Sequence, residues 1–236
     1  MKIYDEGILI HQKAFGETKV LGCFFTAQHG KITGILRRSS KTMIDLGVRA
    51  NITWSARLED QLGTLTFEPL GASPATFCLG NYAALLALQS ASRLLYDMLP
   101  EKHPYERVYS TLCHFLKSLK DDWAHPYAQF EFMLLQELGF GLSLDACAVS
   151  GSCDNLTYVS PKTGRAVSEA EGFAYREKLL PFPKVLRHEG EDLREALLTF
   201  GYFLQKHFYT PHYKKMPQAR VHLGEILAQS SQKKAS

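Results

Sequence analysis

A chain of 236 residues, 45% apolar and 22% charged, has the balance of an ordinary globular protein, long enough for one large domain or two small ones. No uncharged run approaches the roughly 20 apolar residues that span a bilayer, and residues 1–6 turn acidic before any apolar run develops, which argues against a signal peptide and for a cytoplasmic protein. The net charge is only +3, and five scattered cysteines, an odd number, fit reduced thiols better than a disulfide framework.

The first 78 residues read as strands. Residues 7–11 alternate in part, and residues 18–26 (TKVLGCFFT) are rich in β-formers and end before Gly30, which can supply the positive φ of a hairpin. Residues 32–36 follow, then a turn near Met43 to Leu46. Residues 48–57 place Ile52 and Trp54 among polar neighbours, and residues 62–67 close the set before Pro69. Five short strands in about 70 residues predict a small barrel, with the oligonucleotide-binding (OB) barrel the best-sized candidate and an SH3-like barrel the alternative. This stretch is also cationic. Lys31, Arg37, Arg38, Lys41, Arg49 and Arg57 stand against the single acid Asp45 between residues 31 and 57.

After Pro74 the period becomes helical. Residues 79–99 are apolar around most of the circumference, as in a helix central to a bundle. Tyr105, Val108, Tyr109, Leu112, Leu116 and Leu119 form an i, i+3, i+4 stripe. Pro126 suits a first turn, and Tyr127, Phe130, Leu134 and Leu138 run to a stop at Gly139. Leu193, Leu197, Phe200, Leu204 and Phe208 mark another helix, and a short one is expected around residues 221–228 before a fraying tail. Residues 58–202 hold 12 basic and 19 acidic residues, whereas residues 203–236 carry Lys206, Lys214, Lys215, Arg220, Lys233 and Lys234 against Glu225. Two cationic segments flanking an acidic middle suit a polyanionic partner, although charges scattered over solvated faces would read much the same. The expected organisation is therefore α+β: a barrel over residues 1–78, and a helical domain over 79–236 with an insertion at about 145–172.

That insertion resembles half of a zinc knuckle. Cys147 and Cys153 sit among Gly, Ser, Asp and Asn, and a polar turn stands where a second cysteine pair would be expected. The two are six apart, no Cys or His follows until His188, and two thiolates do not close a tetrahedron, so no metal or other cofactor is expected. The loop is instead expected to be held by packing of Tyr158, Val159 and Val167. No phosphate loop, dinucleotide glycine motif, nucleophile elbow or His-Glu-x-x-His occurs, which leaves no catalytic constellation. His222 with Glu225 reads as a surface pair, and Cys23, Cys78 and Cys113 as small packed hydrophobes.

Three stretches resemble a known family in the expected order. "GILIHQKAFGETKVLGCFFTAQHGKITGI" is similar to the start of RecO, the bacterial recombination mediators, with its Gly-Glu-Thr turn (Gly16 to Thr18) and its Phe-Thr-x-x-x-Gly hairpin (Phe25 to Gly30). "QFEFMLLQELGFGLSLDACAVSG" resembles the central helix, its stop and the first knuckle cysteine, and "PQAR" (Pro217 to Arg220) the closing Pro-x-x-Arg. The resemblance implies an OB barrel, a helical domain and a knuckle that binds zinc only in some members. It implies no turnover, but binding of single- and double-stranded DNA and annealing of complementary strands. It also implies association with RecR, contact with the acidic C-terminal tail of the single-strand-binding protein, help in loading RecA, and a place at the nucleoid. Basic residues that often precede Phe-Glu on the central helix are here Ala128 and Gln129. The expected DNA contacts are Lys31, Arg37, Arg38, Lys41, Arg49, Arg57, Lys214, Lys215 and Arg220, with Trp54 as a stacking platform or, more in keeping with its alternating strand, a core residue. A different class of reading makes the chain a non-catalytic adaptor whose barrel docks a protein.

Overall fold

A computed structural model describes residues 1–37, 45–58, 61–187 and 193–234, with side chains through residue 229. Arg38, Lys41, Met43 and His188 therefore lie outside the described residues. The chain divides into two compact units, Met1–Trp123 and Ala124–Ser236.

The first unit begins with five strands: β1 (Lys2–Ala14), β2 (Lys19–Thr26), β3 (Gly30–Arg37), β4 (Arg49–Ser55) and β5 (Gly63–Pro69). They close into a barrel in the order β1-β2-β3-β5-β4, with β4 returning to β1, which is the connectivity of an OB fold. β1 starts at Lys2, earlier than its own hydropathy suggests, because its first half pairs antiparallel with β4 (Lys2 with Ser55, Ile3 with Trp54) and its second half with β2. A register shift between Leu9 and His11 lets one strand serve both neighbours.

Closure depends on two glycines. β3 meets β5 in a short parallel pairing, Gly34 with Gly63. A side chain at Gly63 would collide with the Trp54 indole, and one at Gly34 would come within 2.9 Å of Leu65 Cγ. The barrel core is Ile3, Leu9, Phe24, Ile32, Leu36, Ala50, Ile52, Trp54 and Leu65. Trp54 is 1% exposed, and its indole N–H donates to the Thr33 carbonyl at 3.0 Å. It fills the barrel and cannot stack on a base.

A short helix α1 (Pro74–Phe77) leads to α2 (Tyr82–Met98), whose N-terminus is capped by Asn81 Oδ1 accepting from the Ala84 N–H at 3.0 Å. Its long apolar circumference is used as the composition suggests, since Ala84, Leu86, Leu88, Ala91, Leu94 and Leu95 are all buried. α3 (Glu106–Ser118) buries Val108, Leu112, Phe115 and Leu116, most of the stripe read from the sequence.

The second unit holds α4 (Ala124–Glu137), ended by Gly139 at φ +76°, α5 (Glu169–Gly172), α6 (Leu193–Leu204) and α7 (Gln218–Lys234). α4 packs on α6, with Phe132 and Phe200 stacked at 6.1 Å. α7 is longer than the short helix expected, and α6 runs into a π-helical turn, Gln205–Tyr209. The insertion is a three-stranded sheet, β6 (Leu156–Val159), β7 (Ala166–Ser168) and β8 (Leu180–Pro181), in the order β7-β6-β8. Val159 and Val167 are buried in it, as the packed-loop reading anticipates. No described helix is long and apolar enough to cross a membrane.

Candidate nucleic-acid interface

The cations singled out from the sequence fall into two groups. Three are committed to the fold. Lys31 is 8% exposed, and its ammonium donates to the Tyr96 carbonyl at 2.9 Å with the Tyr96 ring 5.3 Å away. Arg220 is 6% exposed and buried in the second unit. Its Nε and Nη2 donate to Glu131 Oε1 and Oε2 at 2.8 Å each, and Nη2 also reaches the Leu197 carbonyl at 3.0 Å. Burial alone would lower the Arg220 pKa, but the facing carboxylate outweighs it and raises it. Arg49 donates twice to Glu6 Oε1, at 3.0 and 2.6 Å, and Tyr109 donates to the same oxygen. Lys31 and Arg220 are corrected to structural residues, because moving either to a phosphate would strip a buried acceptor of its donor. Arg49 is half-exposed but already neutralised by Glu6.

The second group faces solvent. Arg37 is exposed at the end of β3 and is the cross-strand partner of the exposed Lys19 on β2. Cross-strand partners share a face of the sheet, and like charges set opposite each other cost stability unless an anion lies between or near them. Phe15, 47% exposed, sits in the β1–β2 turn, where its N–H bonds the Lys19 carbonyl at 2.9 Å, and the exposed Lys13 precedes it. The masked residues Arg38 and Lys41 continue from Arg37 in sequence. At the far end of β4, the exposed Arg57 helps line an open concavity of about 410 Å³ with Met1, Lys2 and Leu62. Sequence reasoning missed Lys13, Lys19 and Phe15. Their signal was a hairpin flanked by cations, which a search for basic runs does not score.

In the second unit Lys214 and Lys215 are exposed. Lys214 lies over the Phe208 ring at 5.2 Å, a surface contact that leaves its ammonium facing water. Beside them Tyr213 is 98% exposed and held at φ +53°, a conformation that a side-chain-bearing residue rarely adopts. Backbone bonds fix that turn: His212 N–H to the Phe208 carbonyl at 3.1 Å, Tyr213 N–H to Thr210 at 3.1 Å and Lys214 N–H to Tyr209 at 2.9 Å. Lys206 donates to the Pro161 carbonyl at 2.8 Å. Ala128 is buried and Gln129 contacts His125 Nε2 at 3.2 Å, so that part of α4 offers no cation.

The knuckle does not fit a metal. Cys147 is 1% exposed, with its sulfur accepting from the Ser168 N–H at 3.3 Å and the Ser168 hydroxyl at 3.5 Å, while Cys153 is exposed. Among the described residues no group of three or more His, Cys, Asp or Glu is arranged to hold an ion.

Comparison with known proteins agrees with this architecture. Residues 1–72 match the family model for the recombination protein O N terminal and residues 79–217 that for its C terminal. The chain is 35% identical over 240 aligned positions to the DNA repair protein RecO of Cereibacter sphaeroides (strain KD131 / KCTC 12085), covering 98% of this chain and all of that protein. It is 42% identical over 212 positions to that of Ruegeria sp. (strain TM1040), covering 85% and 87% of the two chains, and 35% identical over 232 positions to that of Brucella abortus (strain 2308), covering 93% of each. An OB barrel, a helical unit with a metal-free knuckle and these matches over nearly the full length lead to one assignment: the chain belongs to the RecO family.

Proposed function

We propose that the protein works in DNA repair and recombination as a mediator without chemical turnover. In this reading it binds single- and double-stranded DNA, anneals complementary strands, and acts with RecR to load RecA on DNA covered by single-strand-binding protein, whose acidic C-terminal tail it engages. The cytoplasm, at the nucleoid, is the corresponding place. The observation that carries the DNA-binding core is the Lys19–Arg37 cross-strand pair beside the exposed Phe15. Two cations on one sheet face can follow a phosphate backbone while an aromatic ring offers a surface for a base. Lys214 and Lys215 flanking the fully exposed Tyr213 supply the same chemistry on the second unit. The reading keeps Arg37, Arg57, Lys214 and Lys215 as DNA contacts, together with Arg38 and Lys41, and adds Lys13, Lys19 and Tyr213.

Annealing needs more neutralisation than binding, because two mutually repelling strands must be held together while bases pair. The test is an annealing assay without nucleotide on the full chain, the Lys19→Glu/Arg37→Glu variant and the Lys214→Glu/Lys215→Glu variant. Both variants should bind and anneal more slowly than the parent at equal salt. Unchanged annealing in both, or a requirement for ATP hydrolysis, would contradict the proposal. DNA-independent capture by a protein partner through the barrel face would favour the adaptor reading instead.

A further inference from the structure

The knuckle carries chemistry that DNA binding does not use. We infer that Cys147 and Cys153 form a reversible disulfide by exchange with low-molecular-weight disulfides, which makes the knuckle a thiol-modification site.

The loop between the two cysteines is folded back on itself. Gly151, at φ +74°, donates its N–H to the Cys147 carbonyl at 3.0 Å, and the Cys147 N–H donates to the Ser152 carbonyl at 2.7 Å. Cys153 directly follows the residue bonded to Cys147. The two Cα atoms are thereby drawn into the range a disulfide spans, about 4.4–6.8 Å. Arg187 fastens the outside of this loop, its Nη1 on the Cys153 carbonyl at 3.0 Å and its Nη2 on the Leu144 and Asp145 carbonyls at 3.2 and 3.3 Å.

The two sulfurs are suited to different steps. Cys153 is exposed and meets reagents from solution, while Cys147 is covered. Burial works to raise the Cys147 thiol, but hydrogen bonds from the hydroxyls and N–H groups of Ser150 and Ser168 outweigh it and bring it down to about 6. Cys147 is thus held as a thiolate near neutral pH, protected from large reagents and one short loop from its partner. The remaining cysteines stand apart from this chemistry. Burial pushes Cys23 up to about 12 and raises Cys78 and Cys113 as well.

The chemistry balances in two exchanges. The Cys153 thiolate attacks a small disulfide RSSR, forming a protein–S–SR bond and releasing one RS⁻. The Cys147 thiolate then attacks the Cys153 sulfur, the S–SR bond breaks, and the second RS⁻ leaves. The two protein thiols are oxidised by two electrons and the small disulfide is reduced to two thiols. Formation of the bond takes the Cys147 sulfur from Ser168, the last residue of β7 and the residue that precedes α5, so the oxidised knuckle must rearrange there.

The full chain equilibrated in graded mixtures of reduced and oxidised glutathione, then acid-quenched and peptide-mapped without reduction, tests this. The expected product is a single Cys147–Cys153 cross-linked peptide that appears over one redox midpoint and is reversed by excess thiol. Cys153→Ser, a surface change that leaves the loop bonds intact, should abolish the cross-link and leave Cys147 unmodified in the folded protein. Cys147→Ser should stop the reaction at the Cys153–glutathione mixed disulfide. A parent protein that stops at that same mixed disulfide, or that cross-links through Cys23, Cys78 or Cys113 or between chains, would overturn the inference.

Discussion

Replacement of Arg220 by Ala separates a structural role from a DNA-contacting one. Arg220 donates to both oxygens of Glu131, which is 1% exposed and also accepts from the Tyr127 hydroxyl at 2.5 Å. Removing the guanidinium leaves a buried carboxylate with one neutral donor, and breaking a buried pair in this way costs about 3–5 kcal/mol. At about 4 °C per kcal/mol for a unit of this size, the thermal midpoint should fall by roughly 12–20 °C. Lys215→Ala, at an exposed site, should stay within about 0.5 kcal/mol of the parent. The triple variant Tyr127→Phe/Glu131→Leu/Arg220→Met removes every partner of the network's charge together and should recover most of the loss, because an apolar replacement of a buried pair is often close to neutral. Thermal unfolding followed by circular dichroism, with a denaturant titration for the free energies, reads all three. An Arg220→Ala protein with an unchanged midpoint and weakened DNA binding would refute the reasoning and restore the interface role read from the sequence.

Further expectations concern the barrel. Gly30→Ala places a methyl group against the His103 carbonyl oxygen at φ +69° and should destabilise the first unit by at least about 1–3 kcal/mol, measured by chemical denaturation. Trp54→Ala should cost about 3–5 kcal/mol, and the stability loss should account for whatever DNA affinity it loses. Asp5 is buried, which works against its charge, but hydrogen bonds from His29, Gln28, Thr26 and Glu6 hold its carboxyl below the usual range. Its stabilisation is therefore present above the unfolded value near 3.9 and is lost as pH falls through the lower folded value. Asp5→Asn should destabilise the protein at neutral pH and flatten the acid limb of stability below about pH 4. An Asp5→Asn curve parallel to that of the parent throughout would contradict this assignment.

The barrel and most helices were legible because alternation, turn residues and helical stripes are local signals. Strand limits were less so. Residues 2–6 of β1 are ordered by pairing with β4, almost 50 residues away, and nothing in their own pattern announces it. The limits of the charge argument appear at Lys31 and Arg220. Both sit in basic segments, yet the acceptors that bury them, the Tyr96 carbonyl and Glu131, lie 65 and 89 residues away in sequence. Composition records that a cation is present but not which acceptor claims it. The Lys19–Arg37 pair escaped notice for the converse reason. Its two members are 18 positions apart and become neighbours only through the β2–β3 register. Tyr213 shows a third limit, since the strained turn that exposes it follows from the π-helical end of α6 rather than from any turn-forming residue of its own.

The account rests most directly on electrostatic contact with DNA through the exposed cations and not the buried ones. A titration of single-stranded oligonucleotide across a range of salt concentrations, for the parent and the Lys19→Glu/Arg37→Glu variant, measures that contact. Each phosphate neutralised on a single strand contributes about 0.7 to the slope of log affinity against log salt. The parent should lose affinity steeply with salt, and the variant should bind more weakly with a slope shallower by about 1–1.5. Parent binding that does not vary with salt, or a folded variant with the same affinity and slope, would contradict it.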